Sequence, residues 1–153
     1  MQTSFTDKQL LDKDNKSSES ILRKCVHCGM CNATCPTFCV NGEELEGPRG
    51  RIYLIKDMLE NKKPANKKVV KHIDSCLSCY SCMTTCPSGV NYMHLIDHGR
   101  NYVEETYKRP FFDRLFRNVL SFVLPRPKVF LVLAYLTKLI KPFSFLLPTF
   151  LKN

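Results

Sequence analysis

The chain predicts a mainly α fold, and three observations carry that prediction. Apolar residues recur at helical spacing in several separate segments. No segment alternates apolar and polar residues as a half-buried strand does. One cysteine-rich unit occurs twice, 51 residues apart, and each copy sits beside a predicted helix.

Residues 1–16 are polar and charged and read as a loose arm. Ser17 and Ser18 offer caps for a short helix from Ser18 to Lys24. Cysteines follow from Cys25 to Cys39, and residues 41–47 form an acidic turn. Pro48 then stands where the first residue of a helix belongs. Ile52, Ile55, Met58 and Leu59 mark one face of a helix over Arg49–Asn61. Residues 61–68 hold four lysines and no acid and read as a solvated linker. Val69, Val70 and Ile73 lead by a short helix into a second run, Cys76 to Cys86. Asn91 caps a helix from Tyr92 to Lys108, with Gly99 a weak point in it. Two more helices are predicted, Phe111–Leu124 and Lys128–Lys141, broken by Pro125 and Pro127.

Composition narrows the class. At 153 residues, 44% hydrophobic and 24% charged, the chain is about one globular domain's worth. Its N-terminus has no apolar stretch of the secretory kind, so a cytoplasmic location is expected. Nine cysteines in that setting are not a disulfide framework, since the cytosol keeps thiols reduced and the count is odd. The longest uncharged stretch of the tail is ten residues, Pro142 to Leu151, short of the about 18 that a membrane span needs.

Each cysteine unit reads C-x2-C-x2-C-x3-C-P. Cys25, Cys28, Cys31, Cys35 and Pro36 recur as Cys76, Cys79, Cys82, Cys86 and Pro87, with Thr34 matched by Thr85. This is the spacing of 4Fe–4S ligation. Three cysteines at i, i+3 and i+6 wrap three iron corners from one tight loop, and the fourth comes from elsewhere. Structural zinc takes two cysteines from each knuckle rather than three in seven residues. In two-cluster proteins the fourth cysteine of each run serves the other cluster. That rule assigns Cys25, Cys28, Cys31 and Cys86 to cluster one, and Cys76, Cys79, Cys82 and Cys35 to cluster two. The expected cofactors are therefore two 4Fe–4S clusters.

The remaining candidates carry weaker signals. Cys39 reads either as a buried or partly buried free thiol, or as a spare ligand or redox-sensitive thiol beside cluster one. His27 lies inside the first run, as a tuning hydrogen-bond partner or a solvent-facing loop residue. His72, His94 and His98 read as helix-surface residues. Arg49 and Arg51 open a helix where one or the other offsets cluster charge. No dinucleotide, phosphate-loop or nucleophile motif is present, so no substrate-converting site is expected in this chain.

The tail, residues 110–153, carries seven basic residues and one acid and is rich in Phe and Leu. It reads as helices packed on a core, as a docking surface for a partner subunit, or as a peripheral attachment to an anionic membrane. Net charge of +9 without a recognition motif does not indicate nucleic acid.

Three stretches together resemble a known family. They are Cys25-Val-His-Cys-Gly-Met-Cys-Asn-Ala-Thr-Cys-Pro-Thr, then Gly42-Glu-Glu-Leu-Glu-Gly-Pro-Arg-Gly-Arg-Ile-Tyr-Leu-Ile-Lys56, then Cys86-Pro-Ser-Gly-Val-Asn-Tyr92. With His98-Gly-Arg100 they resemble the iron–sulfur subunits of glycolate oxidase (glycolate dehydrogenase), from about residue 20 to 125. Subunits serving glycerol 3-phosphate, lactate and heterodisulfide systems share the Gly-Pro-Arg-Gly-Arg segment. The resemblance implies an α-helical ferredoxin fold over residues 17–109, followed by two basic apolar helices. It implies flavoprotein dehydrogenase subunits as partners, glycolate oxidised to glyoxylate on them, and electrons relayed toward quinone at the inner membrane face. Members of the family continue into cysteine-rich domains, so the tail is expected to lead into these. A free-standing ferredoxin-type carrier is the alternative.

Overall fold

The computed structural model describes residues 1–140. It divides into two compact units, Met1–Lys108 and a second beginning at Arg109. Among the described residues there are helices, turns and loops and no strand.

In the first unit, α1 (Asp7–Leu10) and α2 (Lys13–Lys24) precede the first cysteine run. A short helix, α3 (Pro36–Asn41), leaves that run, and α4 (Pro48–Asn61) follows a 3-10 turn over Glu44–Glu46. Next come α5 (Lys67–Asp74), the single turn α6 (Ser81–Thr84) and α7 (Tyr92–Thr106). The core is built from the predicted apolar faces. Leu22, Ile52, Ile55, Met58, Ile73, Leu95, Ile96 and Val103 are buried together, and Cys25 and Cys82 belong to the same cluster. Helix α4 lies at its centre and touches α2, α5 and α7.

Gly99 is not a weak point but the place where α7 closes on α4. A Cβ there would lie 2.8 Å from Ile55 Cγ1. Gly50 serves the same purpose at the other end of α4, where a Cβ would lie 2.3 Å from the Glu44 carbonyl oxygen. Both glycines hold elements closer than any side chain permits.

Residues 1–16 differ from the loose arm that their polarity suggested. Helix α2 begins at Lys13, capped by Asp12, whose carboxylate accepts from the backbone of Asp14 and Asn15. Ser18, expected to open that helix, is fully buried within it, and its hydroxyl meets His98 Nδ1 at 2.7 Å. Gln9 is buried and donates to the Leu59 and Glu60 carbonyls at the end of α4. The N-terminal ammonium caps the end of α2 through the Leu22, Arg23 and Cys25 carbonyls. Polar residues therefore satisfy helix ends here, where composition alone suggested solvation.

The second unit contains α8 (Phe111–Val123) and α9 (Pro127–Ile140). The expected end of the latter helix at Lys141, and the uncharged stretch Pro142 to Leu151, lie outside the described residues. On α8 the polar residues Asp113, Arg114, Arg117, Asn118 and Ser121 share one face. Phe112, Leu115, Phe116, Val119 and Phe122 are exposed. No single helix among the described residues is long and apolar enough to cross a membrane, although α8 and α9 together have that composition across a bend of 111°.

Gly99→Val inserts a branched side chain into the α4–α7 contact. We expect it to destabilise the chain by about 1–3 kcal/mol, read as a lowered urea midpoint in far-UV circular dichroism.

Candidate metal centre

The two cysteine runs fold alike, residue for residue. His27 and Gly29 take left-handed backbone conformations at φ 59° and 84°, and their counterparts Ser78 and Tyr80 do so at 52° and 58°. Each run is entered by an N–H bond back to the preceding helix, Cys25 to Leu22 and Cys76 to Ile73. Each is left by another, Cys35 to Asn32 and Cys86 to Met83. Right- and left-handed residues in alternation turn successive N–H groups inward, and such nests receive anionic groups, iron–sulfur clusters among them. A left-handed tyrosine is sterically costly, and such strain gathers at functional sites. The matched threonines join the copies directly, Thr85 Oγ1 donating to Thr34 Oγ1 at 3.2 Å.

Two cavities lie between the runs. The first is lined by Cys25, Cys28, Cys31 and Cys86, with Cys82 also at its wall. The second is lined by Cys76, Cys79, Cys82 and Cys35. The second thus takes three cysteines from one run and one from the other, and the first takes three from one run and two, Cys82 and Cys86, from the other. Pro48, Cys82 and Tyr92 line both.

The donor set itself fits a polynuclear cation. Burial, then the neighbouring Cys25, Cys86 and Cys28 sulfurs, push the Cys31 thiol up to about 11. Burial, then Cys31, Cys76, Cys35 and Cys79, push Cys82 up to about 12. Thiolates this close repel one another, and only a shared metal charge lets four of them stand together.

The acidic turn supplies what the sequence reading missed. Glu46 is 3% exposed and pairs with Arg51, 1% exposed, at 2.9 Å. Arg51 also donates from Nε to the His72 carbonyl at 2.7 Å, and from Nη2 to Thr37 and Ser75 at 3.0 Å. Its Nη1 points at Cys35 Sγ, 3.9 Å away. Of the two candidate arginines, Arg51 is therefore the one against a cysteine sulfur. Arg49 lines the first cavity and pairs with the exposed Glu44. His72 is not a surface residue; it is buried, with Nδ1 donating to Glu46 at 2.8 Å. Glu43, Glu46 and His72 bring donor atoms within 4.8 Å of one another, but the Arg51 guanidinium already occupies the place of a cation there.

The other histidines also depart from the surface. His94 and His98 are half-buried on α7. His27 is half-buried on the wall of the first cavity, edge-on to Tyr53 at 5.3 Å, and burial, then the Arg49 charge, lower its pKa. Cys39, on α3, is exposed rather than buried or partly buried, and its thiol donates to the Ala33 carbonyl at 3.5 Å.

With this geometry in place, the comparisons with known proteins are decisive. Residues 21–90 match the family model described as "4Fe-4S dicluster domain". A 4Fe-4S dicluster domain is present in this chain. The chain is 49% identical over 143 residues to the glycolate oxidase iron-sulfur subunit of Escherichia coli (strain K12), covering 94% of this chain and 35% of that protein. It is 32% identical over 117 residues to the probable glycolate oxidase iron-sulfur subunit of Bacillus subtilis (strain 168), covering 73% and 26%. A third relative, at 27% over 84 residues, is the mitochondrial succinate dehydrogenase (ubiquinone) iron-sulfur subunit of Candida glabrata, covering 51% and 33%. The chain thus spans about a third or less of the length of the curated relatives it matches. No solved structure matches it. The dicluster domain holds all eight cysteines of the two runs.

Burial alone would raise the Glu46 pKa, but hydrogen bonds from Ser75 and His72 and the charge of Arg51 outweigh it and hold the carboxyl below its ordinary 4.5. A lowered folded-state value stabilises the fold above the unfolded value, and that contribution is lost as pH falls through the folded one. Glu46→Gln also leaves Arg51 buried and unpaired, so at pH 7 it costs about 3 kcal/mol. We expect the wild-type margin over this variant, measured by denaturant midpoints, to be constant above pH 4.5 and to narrow below it.

Proposed function

We propose that the chain is the electron-transfer part of the iron–sulfur subunit of a flavin-dependent glycolate dehydrogenase complex, relaying electrons from flavin toward quinone. The observation that carries this reading is the composition of the two cavities, each lined by cysteines of both runs. Cys25, Cys28, Cys31 and Cys86 hold one 4Fe–4S cluster, and Cys76, Cys79, Cys82 and Cys35 hold the other. When bound, the two clusters supply one-electron couples between a two-electron flavin and the next acceptor.

The chain's own residues do the rest. The left-handed residues His27, Gly29, Ser78 and Tyr80 give both runs the backbone pattern of an anion-receiving nest. Pro48 and Tyr92 wall both cavities. Arg51 brings a buried positive group to Cys35. The substrate is bound on the flavoprotein partner, which accounts for the lack of a substrate-converting motif here. The similarity to subunits named for glycolate oxidase supports that choice of partner. The exposed apolar face of α8, with Arg114 and Arg117 on its other side, supports peripheral attachment at the cytoplasmic face of an anionic membrane.

Two measurements test this. Cys35→Ala is expected to remove the cluster of Cys76, Cys79 and Cys82 and to halve the iron, leaving the Cys25 site spectroscopically intact; loss of the Cys25 site instead would overturn the crossed assignment. Anaerobic purification of the chain from its native extract is expected to bring a flavoprotein with it, and added glycolate is expected to produce a reduced-cluster EPR signal. A signal elicited only by lactate or glycerol 3-phosphate would transfer the reading to those substrates, and intact clusters with no flavoprotein would favour a free-standing carrier.

A further inference from the structure

The two cavities differ in what their sulfurs receive. In the second, Arg51 Nη1 points at Cys35 Sγ at 3.9 Å. The Tyr92 hydroxyl donates to Cys76 Sγ at 3.7 Å. Tyr92 is buried, and that burial, then the Cys76 sulfur, push its own pKa upward, so the phenol keeps its proton. Ser81 donates to Cys79 through its backbone N–H and its hydroxyl, where the first site has a backbone donor at Cys31 but no such hydroxyl. In the first cavity, among the described residues, no side-chain N–H or O–H donates to Cys25, Cys28, Cys31 or Cys86; the Cys31 thiol itself faces Asn32 Oδ1.

The repeat makes the contrast a matter of sequence. Shifted back by 51 positions, Ser81 falls on Met30, an exposed thioether, and Tyr92 falls on Asn41, the last residue of α3. Each site has one exposed cysteine, Cys28 and Cys79, but the second is the more buried, with Cys35 and Cys82 buried against Cys25 alone in the first, so its donors act against that burial. Arg49 at the first cavity is countered by Glu44 in a pair more than a third exposed on each side on average, where solvent screens it. Arg51 is also paired, with Glu46, but both are buried, and its Nη1 is directed at Cys35 Sγ without water between the charges to weaken that contact.

Hydrogen bonds to ligand sulfurs draw off negative charge and favour the more negative, reduced state of a cluster. We infer that the site of Cys35, Cys76, Cys79 and Cys82 has the higher reduction potential of the two, and that Arg51 and Tyr92 are the positioning residues that raise it. This rests on the cluster assignment proposed above. The internal step is then downhill in one direction. With both groups bound, Cys25, Cys28, Cys31 and Cys86 would hold the one-electron donor and Cys35, Cys76, Cys79 and Cys82 the acceptor, the first oxidised and the second reduced by one electron, with the partner's reduced flavin refilling the first. The second site is therefore the exit toward the next acceptor.

The test is an anaerobic redox titration of the cluster-loaded chain, followed by EPR, which should resolve two one-electron waves. Tyr92→Phe keeps the ring and removes the donor. It should lower the upper wave and leave the lower one in place. Arg51→Gln combined with Glu46→Gln removes the guanidinium without stranding a buried charge. It should lower the same wave by about tenfold in the one-electron equilibrium, or about 59 mV. Movement of the lower wave instead, or of neither, would overturn the inference while leaving the clusters assigned. A wild-type chain that does not bind eight irons would overturn the assignment itself, and the inference with it.

Discussion

A guanidinium with almost no contact with water holds the first unit together. Arg51 is fixed by Glu46, which comes from the turn before α4, and by the carbonyl of His72 at the end of α5. It reaches Thr37 in α3 and Ser75 at the entry to the second cysteine run. One side chain thus ties the exit of the first run to the approach of the second. The charge is tolerated in the interior because Glu46 neutralises it and because Nε, Nη1 and Nη2 all face acceptors. The close approach at Gly50 follows from the same need, since the turn carrying Glu46 must lie against the start of α4 for its carboxylate to reach Arg51, while Gly47 makes room for the Asn32 side chain.

The arrangement around the sulfurs follows from this frame. Two loops with the same handedness of backbone face each other, joined by Thr34 and Thr85. Among the thiols gathered there, Cys31 and Cys82 resist ionisation, through burial and then through their neighbours' sulfurs. The interior is therefore built around a positive guest, with N–H groups and Arg51 addressing the charge that its sulfurs carry. The chain's own apolar core is modest, and Cys25 and Cys82 are part of it. The metal sites and the core are one object in this fold.

Much of this was legible in the sequence, because it depended on spacing. The cysteine register, the apolar face of α4 and the Asn91 cap are all local patterns, and each appears where the residues placed it. What was not legible depended on partners distant in the chain. Glu46 looks like one acid among several in a polar turn; only Arg51 and His72 make it a core residue. His72 carries no metal-ligand spacing, yet it is buried by that same pair. Gln9 and Ser18 are polar residues that composition assigns to solvent, and both are buried because a helix end and a histidine need them. The left-handed Tyr80 gives no signal in composition, although its register with Gly29 was available once the repeat was aligned. Cys39 is exposed on α3, a helix too short to show a periodicity.

The interleaving of the two runs bears on how the polypeptide emerges from the ribosome. The first cavity gathers Cys25, Cys28, Cys31 and Cys86, so its wall stays incomplete until some sixty residues beyond Cys25 have been made. The second needs Cys35 from the earlier run and closes at Cys82. The later run in the chain therefore completes its cavity first, and the earlier run waits for the last cysteine. Neither cavity has its full set of lining cysteines until the second run has been made, so the two halves of the repeat depend on each other.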